Sequence, residues 1–115
     1  MLIRPEQVAA LSRTQLRDFE ERARDYLRKS HSGNPKVHDL DALMAAIRDG
    51  VERAARYEMS REIDVIRFLE FQLTLGRDFD LDSKFSECLC LDISAEERLD
   101  HLVERIRFEG MDHLG

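Results

Sequence analysis

Chain breakers are scarce here: five glycines and two prolines in 115 residues. So few argue against an all-β fold threaded with turns and against a low-complexity chain. Long apolar runs are missing too. No stretch approaches the roughly 18 apolar residues of a membrane span, so no membrane association is expected. The opening Met1-Leu2-Ile3-Arg4-Pro5-Glu6 carries no apolar run of signal-peptide length, which makes a cytoplasmic location the expectation. The only cysteines, Cys88 and Cys90, are spaced C-x-C, which suits free thiols in a reducing compartment better than a disulfide framework. The Gly-rich phosphate loop, the H-E-x-x-H zinc motif and the G-x-S-x-G nucleophile elbow are all absent. Nor is there a basic excess: the net charge is −6, which disfavours a phosphate backbone as main partner.

What the chain does have is charge and periodicity. Asp, Glu, Lys and Arg make up 37% of it, well above the usual quarter, beside an ordinary 43% of hydrophobic residues. The length suits one domain, 1–115, large enough to bury a core without disulfides or metals. Charge is uneven along it. Residues 1–57 hold eleven Lys or Arg against nine Asp or Glu; residues 58–115 hold seven against fifteen, a balance of −8. An acidic face of that kind can steer a basic protein partner.

Helical signals follow one another closely. Pro5–Leu11 reads as a short helical turn opened by proline. Ser12 with Gln15 forms a capping box, and Leu16, Phe19, Ala23, Tyr26 and Leu27 then recur at helical spacing up to the loop Ser30–Pro35. After Asp39 the apolar stripe Leu40, Leu43, Met44, Ile47, Val51, Ala54, Ala55 marks a second helix, with Gly50 at its edge as a candidate close contact. Ser60 and Gly76 bracket a third, Arg61–Leu75. It is apolar on most sides, so it is expected at the centre with Phe71 in the core. Its tail Leu69–Leu75 also alternates as a strand would, but length and punctuation favour helix. Lys84–Leu91 suits a short helix. Ser94-Ala95-Glu96-Glu97 is a second capping box, opening a last helix through Leu99, Leu102, Val103 and Ile106 that Gly110 is placed to end. The expectation is an all-α bundle of four main helices plus short helical turns.

Chemistry-bearing clusters are few. Asp78, Asp80 and Asp82 alternate as in a calcium loop. The sixth position, however, is Ser83 where glycine is needed, and the twelfth is Leu89 where a bidentate Glu is needed. Cys88 and Cys90 with His101 or His113 lack the paired spacing of structural zinc sites. His31, His38, His101 and His113 each could act as a base, but none adjoins a nucleophile motif. No catalytic residue, metal or cofactor is therefore assigned. The segment 77–85 is the best interface candidate: Arg77, Asp78, Phe79, Asp80, Leu81, Asp82 and Phe85 place apolar groups among charges in a connection. The competing reading folds Phe79 and Phe85 inward as lids on the core.

Four stretches, Ile3–Leu11, Phe19–Arg22, Ile47–Tyr57 and Leu75–Asp80, together resemble a group of small helical bacterial proteins encoded beside type VI secretion effectors and their spike-tip and adaptor proteins. The resemblance spans most of residues 1–82. It implies a non-catalytic accessory protein, an effector chaperone or co-adaptor, whose partner is a secreted effector or toxin or its adaptor. The alternative it leaves open is a cytoplasmic immunity protein that neutralises a cognate toxin. An enzyme or metal-binding protein built on the acid cluster or the cysteines is the remaining alternative from another class.

Overall fold

The computed structural model describes the backbone of residues 12–114 and the side chains of 12–108; the turn expected at Pro5–Leu11 lies outside these. Five α-helices follow in order: α1 Arg13–Ser30, α2 Leu40–Arg56, α3 Glu62–Leu75, α4 Ser83–Leu89 and α5 Ala95–Leu114. Two 3-10 turns, Pro35–Val37 and Phe79–Leu81, punctuate the connections, and there is no β-strand among the described residues. The all-α class stands. Among the described residues the count of main helices moves from four to five, because α4 closes two turns of its own over the core.

Local chemistry sets the boundaries. The Ser12 hydroxyl accepts from the Gln15 N–H at 3.2 Å while the Gln15 side chain accepts from the Ser12 N–H at 3.0 Å, so both groups of the capping box are satisfied. Asp39 caps α2 by accepting from the Ala42 N–H at 3.1 Å. α3 starts differently from expectation: Arg61, not Ser60, is the N-cap, and it makes no side-chain cap bond. Glu62 and Asp64 in its first turn instead place negative charge at the positive end of the helix dipole. Gly76 ends α3 with φ +115°, a region that side-chain-bearing residues rarely enter, and its N–H donates to the Gln72 carbonyl at 3.1 Å. Ser94 accepts from the Glu97 N–H at 3.2 Å, but its hydroxyl also donates to the Glu97 carboxylate, so the second box is only half of the expected kind. α5 does not stop at Gly110; it continues to Leu114. Glycine within a helix weakens it by about 1 kcal/mol without obliging it to end.

Leu69–Leu75 is helical, and α3 is the central element, packed against α1, α2 and α5. It buries Val65, Ile66, Phe68, Leu69 and Leu73. Around it α1 contributes Phe19, Ala23 and Leu27, α2 contributes Leu43, Ile47 and Ala54, and α5 contributes Leu99 and Leu102. Gly50 is the close contact its position suggested: a Cβ there would collide with the side chains of Leu69 and Gln72. Phe71, expected in the core, is only half-buried; Phe68 is the fully enclosed ring of α3. A helix apolar all round does not say which of its faces the neighbours cover.

Candidate functional site

The segment after α3 is held by α2. Arg53 donates from Nη1 to Asp80 Oδ1 at 2.8 Å and to the Arg77 carbonyl at 2.8 Å, and from Nη2 to Asp78 Oδ1 at 2.7 Å. Tyr57, one helical turn later, donates its hydroxyl to Asp80 Oδ2 at 2.8 Å. The Gln72 amide adds a second donor to the Arg77 carbonyl at 3.1 Å. Arg77 itself grips Asp49 of α2 through two bonds of 3.0 and 3.1 Å. Burial works against the Arg53 charge, but the hydrogen bond to Asp78 and the charges of Asp80, Asp49 and Asp78 outweigh it and raise its pKa. Burial, then the bond to Asp80 and its charge, push the Tyr57 phenol up to about 12.

The sequence-expected interface residues therefore part company. Phe79 is 4% exposed and Phe85 7%; both face the core, with the Phe79 ring 5.2 Å from Phe68 and 6.1 Å from Phe85. These two are the inward lids of the competing reading rather than exposed anchors. Asp80 is 4% exposed and committed to Arg53 and Tyr57. Asp82 caps α4 by accepting from the Lys84 N–H at 3.2 Å. Arg77 and Asp78 remain at the surface, and Leu81 is 70% exposed.

The other singled-out residues are dispersed. His31 pairs with Glu70 at 2.9 Å, His38 meets the Ser32 carbonyl at 3.0 Å, and His101 is exposed on α5. His113 lies outside the described side chains. Cys88 is buried, its thiol directed at the Lys84 carbonyl, while Cys90 is exposed. Among the described residues, no group of three or more His, Cys, Asp or Glu side chains is arranged to hold a metal ion. No helix among them is long and apolar enough to cross a membrane.

Arg77 leads to a feature that the sequence did not announce. It is one of the residues lining an apolar groove of about 280 Å³ between the N-terminal half of α2 and the C-terminal half of α3. Ala42, Leu43, Ala46 and Ile47 form one wall and Leu69, Gln72 and Leu73 the other, with Leu27 of α1 also lining it and Pro35 and Lys36 at its border. Lys36 donates to the Leu73 carbonyl at 3.3 Å, and Asn34 donates to the same oxygen at 3.2 Å, fixing that border to the end of α3. The leucines and Ile47 of this groove are buried, and Ala42 and Ala46 are its exposed aliphatic residues. The signal that could have flagged the groove is Ala42 and Ala46, one turn apart and both exposed between Asp39 and Asp49, where long polar side chains usually stand.

Comparison with protein families, curated proteins and solved structures finds no match to this chain.

Proposed function

We propose that this chain is a non-catalytic protein-binding module that acts as an accessory chaperone or co-adaptor in a type VI secretion effector cluster, its partner a secreted effector or that effector's adaptor. The groove between α2 and α3 carries the binding part of this reading. It is concave, almost wholly aliphatic and bordered by charged residues, the form in which an apolar surface takes up another protein. The non-catalytic part draws on the direction of the shifted groups. Ion pairing raises Arg22, Arg53 and Arg61 against the opposing effect of burial, and burial with the Asp80 bond raises Tyr57, so all four are moved further from neutral pH, as in a scaffold and not as proton transfer requires.

The secretion-cluster part rests on the resemblance of residues 47–57 and 75–80. Arg53, Asp49 and Tyr57 of the first stretch bind Arg77, Asp78 and Asp80 of the second, so the two form one spatial unit that borders the groove. The test is affinity capture from cells carrying the chain's own gene neighbourhood, with wild type and with Ala46→Phe, which fills the groove from an exposed helical position. An effector or adaptor enriched by wild type and lost with the variant is the expected result. The same captured proteins from both would overturn the reading. An immunity protein would differ in consequence, since its bound toxin would be inactive.

A further inference from the structure

The polar groups of the α2/α3 groove are answered from within the chain. Its lining carries three charged side chains, Lys36, Asp39 and Arg77, and each is engaged. Arg77 is bonded twice to Asp49. Lys36 donates to the Leu73 carbonyl at 3.3 Å, and the Asp39 carboxylate accepts from the Ala42 N–H at the start of α2. The Gln72 amide, the remaining polar side chain of the lining, donates to the Arg77 carbonyl. Among the described residues no buried side-chain nitrogen or oxygen lacks a hydrogen-bond partner. A site that selects a polar ligand holds buried donors or acceptors in wait for it, and the described part of this groove holds none.

An ion of either sign meets opposition here. A carboxylate drawn to Lys36 shares that ammonium with the Leu73 carbonyl, and one drawn to Arg77 competes with Asp49. A cation finds only Asp39 in the lining, against Lys36 and Arg77. An ion that gives up its water without gaining a counter-charge loses more than burial of an aliphatic group returns. What the groove offers instead is aliphatic surface: Leu43, Ile47, Leu69 and Leu73 are buried in its lining, and Ala42 and Ala46 are exposed there with the shortest of side chains. No ring lines it, so an aromatic occupant has nothing to stack on. Its volume of about 280 Å³ lies just below the roughly 300–1,000 Å³ of pockets for drug-sized ligands, which suits one anchoring group better than a large cofactor.

We propose that the α2/α3 groove takes an uncharged aliphatic anchor of the partner, a Leu, Ile or Met side chain, held by apolar contact alone and indifferent to salt. This rests on the groove being a protein-binding surface, and adds the chemistry of the group that enters it. The arrangement is that of an ordinary interface, an apolar centre with charged groups around it. Here those charges serve the fold: Lys36 secures the loop before α2 to the end of α3, and Arg77 secures the segment after α3 to α2.

The test titrates capped amino-acid amides into the full chain and follows the methyl resonances of Leu43, Ile47, Leu69 and Leu73. The probes share one backbone and differ in side chain: leucine is apolar, asparagine polar, aspartate anionic and ornithine cationic. The leucine probe should move these methyls saturably and bind at least about tenfold tighter than the other three. Raising salt from about 0.01 M to 1 M, which shortens the screening length from about 30 Å to 3 Å, should not weaken it. Ala46→Phe should abolish the shifts at unchanged melting temperature, and Lys36→Gln should leave the leucine probe's dissociation constant within about twofold of wild type. No saturable shift with the leucine probe, or equal or tighter binding of the aspartate or ornithine probe, would overturn the proposal. So would a loss of more than about fivefold in high salt or with Lys36→Gln. A wild-type dimer that Ala46→Phe dissociates would overturn it too, by assigning the groove to a second copy. If Ala46→Phe loses the captured partner but the leucine probe does not bind, the groove remains a protein-binding surface and only the neutral anchor falls. If the leucine probe binds yet Ala46→Phe keeps the partner, the groove is a site for a free apolar molecule, and both readings fall.

Discussion

Arg53 of α2 and Asp80, in the 3-10 turn after α3, meet at 2.8 Å with Asp80 almost wholly out of water. Removing a partner from such a pair strands the other charge, which costs on the order of 3 kcal/mol. Arg53→Leu should therefore lower stability by about that amount in chemical denaturation. A loss under about 1 kcal/mol, the range of exposed ion pairs, would show that the 77–82 segment is not held by this contact.

Phe79 and Leu81 lie two residues apart and should behave oppositely. Phe79 joins Phe68, Phe71 and Phe85 in a run of neighbouring rings, with centroid separations of 5.2, 6.0 and 6.1 Å. Phe79→Ala should cost about 3–5 kcal/mol, whereas Leu81→Ala should stay within about 0.5 kcal/mol. Equal effects in parallel melts would contradict the inward placement of Phe79.

Helix contacts make Gly50 sensitive in the same way. A methyl group there meets Leu69 and Gln72 of α3, so Gly50→Ala should destabilise by about 1–3 kcal/mol despite its gain in helix propensity. A stabilised variant would mean that α2 and α3 sit further apart.

Tyr57 gives stability a pH signature. Its folded pKa, pushed up to about 12, lies above the ordinary value of 10. The raised value means that folding favours the neutral phenol. Its contribution is full below pH 10 and is lost as pH rises from 10 toward 12. Denaturation midpoints should fall across that window in wild type, and less steeply in Tyr57→Phe. Identical slopes would remove Tyr57 from the Asp80 network.

Most of the scaffold was legible because it is written locally. The Ser12/Gln15 box, the helix start after Asp39, the Gly76 stop and the 3.6-residue stripes of α1, α2 and α5 are each fixed by neighbours within a turn or two. What could not be read depends on elements distant in sequence. Phe79 turns inward because Phe68 and Phe85 meet it there, and its own segment of charges left that placement level with an exposed anchor. Phe68 rather than Phe71 is enclosed because of where the other helices lie against α3. The groove needs Leu27, Ala42 and Leu73 brought together from three segments, and in sequence the two alanines read as ordinary helix filler.

Whether that groove is where the partner sits is decided most directly by calorimetric titration of the captured partner into wild type and Ala46→Phe, matched for melting temperature. A groove that holds the partner requires the dissociation constant to rise at least about tenfold in the variant. Equal dissociation constants for the two would place the partner elsewhere on the molecule.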